Sequence, residues 1–551
     1  MLSINWISNN SRNQKEISIN NYININSKSI KQDYLNFIRN LKRLKHKNKN
    51  IQSHSSFNKK YNLFDVGIIE EKSIYKSENI FEILKILALK KILKKNKKIK
   101  IINLDVKSYK AVKLLKKKNN IKIANETNLN IKYLFYNIER LTRINYKQLN
   151  VFGHIIKRLV SKIFLKSNLD IKDYTNVIIS STYRTINRNL KDKKEIKKYF
   201  FGNLNKKIKD KKNLFLVHYY KQQKNIFFYD NIFKEKSDKK DYFVLFDSLI
   251  TFRNLFKTSK IFFKFFFNRK NINSIKYKIF SNQELNIYWE LISEDWCQNF
   301  YGSPAFISIN YSLFFNEIFT KSENLKAIYF NFENQNFEKI INNQSYKTKI
   351  KTYGITNTSV RFWDLRYFNL KINPKFSPNY IITNKNYPLN SKFLKSNFKS
   401  KIIKKDDIFN STISKKKEII KNKNKNKKNK ILIVGDYISK YNIEFLNMLN
   451  HNYKILNNYK FYFKNHPAIN INLNNFRNLN INNENQKIAE CFDQYEKSIF
   501  IYSSTAILDA IKFNHEFCLY ICDNTIDFSP TNGLKNIKKI FNIDDLLKFI
   551  K

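Results

Sequence analysis

A run of hydroxyl side chains near the carboxyl terminus has the composition of an anion site. Ser503, Ser504 and Thr505 follow the apolar stretch SIFIY and precede a helical pattern that opens at about Ala506. Helix N-termini offer unpaired N–H groups and a positive dipole end, and hydroxyl groups add hydrogen-bond donors. The pattern predicts a phosphate-binding turn. Its alternative is simple N-capping by Ser504 or Thr505.

A lysine and a histidine follow an earlier apolar stretch in the same region. Lys464 and His466 can both donate a hydrogen bond to phosphate, and Pro467 biases the preceding histidine towards an extended backbone. The chain has only seven His and six Pro among 551 residues, so this pair is an uncommon choice. Taken by itself, the Lys464–Pro467 motif could also be a surface turn with an exposed histidine. Together with the hydroxyl turn, it predicts one phosphate site at the carboxyl ends of neighbouring strands.

The surrounding pattern alternates short apolar strands with helical stripes, which favours an α/β fold with two Rossmann-like, doubly wound domains facing a cleft. The stretch ILIVGDY, which contains Gly435, opens a strand–helix–strand series that ends in a helix with Asn542 or Asp544 near its cap. A Lys/Asn-rich stretch resembles a solvated linker. We therefore predict an N-terminal α/β domain with extra elements at 1–411, a linker at 412–430 and a C-terminal Rossmann-like domain at 431–551.

Composition narrows the class of protein. The formal charge of +59 attracts anionic partners. However, Lys, Asn, Ile, Tyr and Phe are enriched together, as A/T-rich codons would produce, and the lysines are spread throughout. Nucleic-acid binding is therefore not the favoured interpretation. Four separated cysteines support neither a disulfide framework nor a zinc site. The first residues lack a signal-peptide core, so we expect a cytoplasmic protein with peripheral contact at the inner face of the membrane.

The His-Pro and Ser-Ser/Thr turns resemble the nucleotide-binding half of GT-B glycosyltransferases, of the bacterial sialyltransferase, polysialyltransferase and capsule-transferase types. The segment FENQNFEK and the later YGITNTSVRFWDLRYF are similar to a bacterial surface carbohydrate biosynthesis family. This chain has Thr356 and Asn357 where that family has Gln-His. The likeness covers roughly residues 290–551.

The resemblance implies roles for individual residues. The donor nucleotide or phosphate would be held by Gly435, Lys464, His466, Ser503, Ser504 and Thr505. Chemistry would involve Glu333, Asp364 and His466, with Glu70 or Glu71 as outside candidates for the base. The acceptor or leaving phosphate would meet Gln335, Glu338, Arg361 and Arg366. The alternative is a surface ladder of Arg361, Asp364 and Arg366, with Trp363 in the core. Carboxylates can take an acceptor proton, and guanidinium groups can stabilise a leaving phosphate.

The resemblance implies a metal-independent glycosyltransferase with no cofactor, acting in surface polysaccharide or lipopolysaccharide synthesis. Its partners would be a nucleotide-sugar donor, a glycan or lipid-linked acceptor, and an anionic membrane surface. There is no G-x-G-x-x-G motif for a dinucleotide and no D-x-D for a metal. Three alternatives stay open: a nucleotide-sugar epimerase of the same architecture, a non-catalytic assembly factor, and a nucleic-acid-binding protein.

Overall fold

The structure is a computed structural model of the chain. It describes all residues except 8–15, 78, 166–170, 182–210, 219–236, 238–239, 357–358, 371–372, 386–387, 406–426, 468, 523–524 and 535. Most of the predicted linker lies outside the described residues. The described part of 427–430 is a turn that leads into the next strand.

Three parallel sheets organise the described residues. The N-terminal sheet consists of Leu2–Asn5, Glu16–Ser18, Lys98–Ile102 and Asn120–Ile123. The central sheet consists of Asn176–Ser181, Asn213–His218, Asp241–Leu245, Ala327–Asn331, Lys351–Ile355, Tyr380–Asn384 and Lys401–Lys405. The C-terminal sheet consists of Lys430–Val434, Lys460–Lys464, Ile481–Asn483, Lys497–Ile501, Phe517–Tyr520 and Lys539–Ile540. A small antiparallel pair joins Lys45–His46 to Lys49–Asn50.

Helices surround these sheets. In the N-terminal part the described helices are Ile19–Ile25, Ser27–Arg43, Ile51–His54, Ile68–Glu71, Asn79–Lys95, Val106–Lys116 and Glu126–Phe164. In the central part they are Phe246–Leu249, Phe252–Phe267, Lys270–Ser281, Trp289–Tyr301, Ser303–Lys321, Asn336–Ser345 and Pro388–Asn397. In the C-terminal part they are Ser439–His451, Tyr453–Leu456, Ile488–Cys491, Ile507–Lys512 and Ile543–Ile550.

The order of strands in the two larger sheets identifies their topology. Numbered along the chain, the described strands of the central sheet lie in the order 3-2-1-4-5-6-7, and those of the C-terminal sheet in the order 3-2-1-4-5-6. Every described neighbour in these two sheets is parallel. This is the order of the Rossmann fold, which reverses direction at a switch point between strands 1 and 4. The predicted α/β class with two Rossmann-like units is confirmed.

The strands are apolar because both faces of the sheets are covered. In the C-terminal sheet, Ile433 and Ile499 share a core with Leu446 of the helix Ser439–His451. Their neighbours Leu432 and Phe500 point to the other face and pack with the helix Ile507–Lys512. The N-terminal sheet joins the same large core as the central sheet. The extra elements predicted within 1–411 therefore form a third α/β layer.

Candidate functional site at the two switch points

The two Rossmann units contact each other through segments that follow strand ends. The switch point of the central sheet lies between Asn176–Ser181 and Ala327–Asn331, and that of the C-terminal sheet between Lys430–Val434 and Lys497–Ile501. Arg361, in the loop after a central strand, donates from Nη2 to the carbonyl of Ser503 over 3.1 Å. Ligands of open parallel sheets bind at such switch points. The contact between Arg361 and Ser503 therefore marks the candidate site.

The turn after Ala327–Asn331 is fixed by a buried carboxylate. Glu338 accepts the backbone N–H groups of Glu333 and Asn334, the latter over 2.8 Å. Burial, with Glu333 nearby, raises the pKa of Glu338 well above its usual value. Asn334 has a positive φ of 56° and donates from its side chain to the carbonyl of Arg366. Glu338 is fully buried, and its predicted contact with the acceptor or the leaving phosphate stays a prediction. It shapes the turn that presents Glu333.

A carboxylate–guanidinium network occupies the central switch point. Arg366 donates from Nε and Nη2 to both oxygens of Asp364, over 2.8 Å and 2.7 Å. Its Nη1 donates to Oε2 of Glu333 over 2.8 Å, and Gln335 donates to the same oxygen over 2.7 Å. Asp364 is buried with both oxygens bound, and its predicted catalytic role stays a prediction. Asp364 orients Arg366, whereas the Glu333 carboxylate is 32% exposed and faces solvent.

Arg361 retains unused hydrogen-bonding capacity. Its guanidinium lies 5.3 Å from the ring of Phe528, a residue of the C-terminal unit, and is 9% exposed. Within the described residues, its Nε–H is buried and has no hydrogen-bond partner. A buried donor without a partner is costly, and a guanidinium matches the geometry of phosphate or carboxylate. Arg361 is thus the predicted cation best placed to receive an anion.

The C-terminal switch point is bridged by an aspartate that sequence reasoning missed. Asp436 is buried, and its Oδ2 accepts both the N–H and the hydroxyl of Ser503, over 2.8 Å and 2.6 Å. Asn442 in turn bonds the backbone N–H and carbonyl of Asp436. The Gly-Asp pair directly after a buried strand was the available signal. Ser503 is therefore a structural partner of Asp436 as well as a predicted phosphate ligand.

Gly435 is required by the packing of the protein itself. A Cβ at this position would lie 3.0 Å from Phe463, 3.2 Å from the Asn442 side chain and 3.3 Å from the Lys464 carbonyl. The glycine therefore makes room for the side chain that holds Asp436.

The hydroxyl turn does not lead into a long helix. The helix Ile507–Lys512 has six residues, and its N-cap is Ala506 with no side-chain cap bond, so neither Ser504 nor Thr505 is its N-cap. Tyr502 has a positive φ of 47°, an uncommon and strained conformation for an aromatic residue. Ser504 is buried and Thr505 half-buried behind this turn. Any anion site here depends on the turn and Arg361 more than on a helix dipole.

Lys464 and His466, which the sequence predicted at one phosphate site, make different contacts in the structure. His466 lies with its ring 6.2 Å from that of Tyr437, which follows Asp436. Partial burial lowers the pKa of His466, while Asp436 opposes the shift, so burial favours the neutral imidazole. Lys464 instead donates to the carbonyl of Gln486. In the described part of the chain, no contact joins its side chain to Asp436 or Ser503.

The remaining residues that the sequence analysis named make contacts within the protein. Glu71 is buried and accepts from Lys76 over 2.8 Å, while Glu70 lies 3.7 Å from the Lys72 ammonium. Thr356 is buried and donates to Thr383, whereas Asn357 lies outside the described residues. Trp363 is fully buried, as predicted. Among the residues that the structure describes, no group of His, Cys, Asp or Glu is arranged to hold a metal ion.

A polar cavity of about 610 Å³ adjoins the switch-point cluster. Tyr75 lines it, and the same ring lies 5.1 Å from the Arg366 guanidinium and meets Phe528 edge-on. Deeper in the cavity, Ser77 donates to Asp295 over 2.5 Å. Burial raises the pKa of Asp295 to about 7. The cavity balances acidic and basic side chains, which suits a neutral polyhydroxylated ligand better than a polyanion.

No known protein family and no curated protein sequence matches this chain. Among solved structures it is similar to the glycotransferase of kitacinnamycin, with 8% identity over 69% of this chain and 90% of that chain, and a TM-score of 0.34. A UDP-glucose: anthocyanidin 3-O-glucosyltransferase in complex with UDP gives 8% identity, 69% and 89% coverage, and a TM-score of 0.34. The pneumococcal O-GlcNAc transferase GtfA, in complex with UDP and GlcNAc, is similar with 10% identity over 46% of this chain and 52% of that chain, and a TM-score of 0.27. At such scores the likeness carries no functional argument, and the fold assignment rests on the strand orders.

Proposed function

We propose that this chain is a glycosyltransferase of surface polysaccharide or lipopolysaccharide synthesis, which transfers a sugar from a nucleotide-activated donor to a glycan or lipid-linked acceptor. The observation that carries the proposal is the meeting of two Rossmann-ordered units at their switch points through Arg361 and Ser503. The surface-carbohydrate role is supported by the sequence resemblance in the segment that contains Glu333 and Arg366.

On the donor side, the nucleotide would lie over the C-terminal switch point. Arg361 and the turn Ser503–Thr505 would hold the phosphates, because Arg361 has a buried donor without a partner there. The neutral His466 would donate one N–H or stack against the nucleotide beside Tyr437. Asp436 keeps the turn in place by accepting from Ser503.

On the acceptor side, Glu333 would act as the base. The acceptor oxygen would bond to the anomeric carbon of the sugar while the bond from that carbon to the donor phosphate breaks. The phosphate leaves with the electron pair, stabilised by Arg361, and Glu333 takes the hydroxyl proton. Arg366 and Gln335 orient Glu333 through its Oε2. The polar cavity behind Tyr75 would hold the rest of the acceptor.

Nucleotide binding tests the donor site directly. We expect calorimetry against CMP, UDP and GDP to show binding of one of them. Arg361→Gln should weaken it about 10- to 100-fold, since a hydrogen bond to a charged group contributes about 1.5–3 kcal/mol. His466→Ala should weaken it about fivefold. His451→Ala is the matched control, because His451 lies exposed on a helix of the same unit.

Two outcomes would overturn the donor assignment: no nucleotide binds, or both variants bind as tightly as the wild type. Product analysis then separates the reaction classes. A transferase consumes donor only with an acceptor present, whereas an epimerase isomerises or releases the sugar from donor alone. Glu333→Gln should retain nucleotide binding and lose about 10²–10⁴-fold in transfer rate, the usual contribution of a general base.

A further inference from the structure

The longest described helix exposes an apolar face along most of its length. Glu126–Phe164 has 39 residues, and twelve of its large apolar side chains between Ile131 and Ile163 are exposed. At 100° per residue they fall within an arc of about 140°, which contains no charged residue. At 1.5 Å per residue the stripe is about 48 Å long. Phe135, at 70% exposure, is among its most exposed members.

A second helix extends this face with aromatic side chains. Phe252–Phe267 packs against the long helix, and Phe252, Phe256, Phe263 and Phe267 recur on one of its sides. Phe263 contacts Phe152 of the long helix at 5.8 Å and stacks on Phe267 at 6.1 Å. Phe256 and Phe267 are each 74% exposed. We call these two exposed faces together the apolar platform.

The border of the platform is basic. Arg253, Lys257, Lys260 and Lys264 are exposed on the side of the second helix next to its aromatic face. From Ser248 to Gln283 the chain has eight basic residues and no acidic one. Exposed apolar patches of this extent mark interaction sites, and an apolar face with a cationic border matches an anionic bilayer surface. None of the helices in the described part of the chain has the length and hydropathy to cross a membrane.

We propose that the apolar platform docks the protein in the plane of an anionic membrane surface, with its aromatic and aliphatic side chains in the headgroup region. A second copy of the chain fits the same face less well. A twofold-symmetric contact would place the basic border of one copy against that of the other. The inference is independent of the proposed transferase activity, because no residue of the switch-point site lies in the platform.

Vesicle flotation of the full chain tests this proposal. The protein should float with vesicles of phosphatidylcholine and phosphatidylglycerol, and at least tenfold less with phosphatidylcholine alone. Phe135→Glu combined with Phe256→Glu should reduce partitioning at least tenfold, because two exposed anchors become anionic. Ile455→Glu is the matched control, since Ile455 is an exposed apolar residue of the C-terminal unit. It should float like the wild type.

A probe variant keeps the test independent of folding losses. Phe256→Trp retains an aromatic ring, and brominated lipids in the anionic vesicles should quench its fluorescence beyond the wild-type signal. Equal flotation of the wild type and the double variant would overturn the proposal. It would also be overturned if high salt abolished vesicle binding while the double substitution left binding unchanged. Light scattering could instead show that the wild type forms a dimer, that the double substitution abolishes it, and that the wild type does not bind vesicles. That result would assign the platform to self-association. Nucleotide calorimetry on the same variants reports separately on the transferase site.

Discussion

At the scale of single residues, the switch points depend on groups with purely positioning roles. Glu338 holds two backbone N–H groups of the turn that carries Glu333, and Asp436 holds the turn that carries Ser503. Both carboxylates are buried, so neither is offered to a ligand. Arg366 is likewise shared between Asp364 and Glu333. The partly exposed Glu333 and the partly unpaired Arg361 are the groups of this cluster that we propose to meet substrate.

Lys31 provides a residue-scale prediction about pH. It lies on the helix Ser27–Arg43, where Nζ donates to the carbonyl of Phe362 and lies 2.8 Å from the centre of the Phe368 ring. Burial lowers the pKa of Lys31 to about 6, although Asp364 opposes the shift. The unfolded chain therefore binds the extra proton between pH 6 and the ordinary lysine range. The free energy of unfolding should therefore rise with pH across that window, and this gain should be lost as pH falls towards 6.

Chemical denaturation at pH 7, 8 and 9 measures this effect. The free energy of unfolding of the wild type should rise by at most about 1.4 kcal/mol per pH unit relative to Lys31→Met. Lys90→Met is the control, because no comparable burial surrounds that half-exposed lysine. A wild type whose pH dependence parallels that of Lys31→Met would contradict the assigned pKa.

At the scale of elements, corresponding turns carry strain in both units. Asn334 and Tyr502 have positive φ angles, and each follows strand 4 of its own sheet at the switch point. Asparagine tolerates this conformation well, whereas tyrosine does so rarely. Tyr502 is retained there by its backbone bond to Tyr520 and by packing on Tyr441 at 4.4 Å. Both turns therefore change the direction of the chain directly after strand 4.

A pair of glycine substitutions tests how these elements are packed. Gly435→Ala should lower the free energy of unfolding by about 1–3 kcal/mol, because the new Cβ meets Phe463 and Asn442. Gly153→Ala is its counterpart in the long helix, where the nearest atom to the new Cβ is 3.5 Å away. That change should add about 0.5–1 kcal/mol through helix propensity. Thermal melts with opposite shifts would support both statements, and equal shifts would contradict them.

At the scale of the whole molecule, a small aromatic and cationic cluster joins the two Rossmann units. Phe528, buried in the C-terminal unit, packs against Arg361 and Tyr75 from the preceding part of the chain. Asp527 next to it donates its backbone N–H to Asn24 of the N-terminal part over 2.9 Å. These contacts surround the candidate donor site, so ligand binding and the attachment of the two units are expected to be coupled.

Calorimetric unfolding tests this coupling. Phe528→Ala should cost about 3 kcal/mol and split the transition, because the units lose their shared contact. Phe476→Ala removes an equally buried ring inside the C-terminal unit and should lower Tm without splitting. If both variants melt in one transition with the same shift, Phe528 contributes packing alone and does not couple the units.

The sequence by itself determined the α/β class and most elements of the C-terminal unit, because apolar runs and capping residues such as Asn542 are local signals. It also selected the segments at both switch points. It did not determine that Asp364 and Glu338 are buried, that Lys464 turns away, or that Asp436 bridges two strands. Those outcomes depend on which strand ends meet, and strand order is set by non-local pairing that no short pattern contains. The apolar platform likewise became visible only in three dimensions, since the sequence shows which helix face is apolar but only the tertiary structure decides which face is covered.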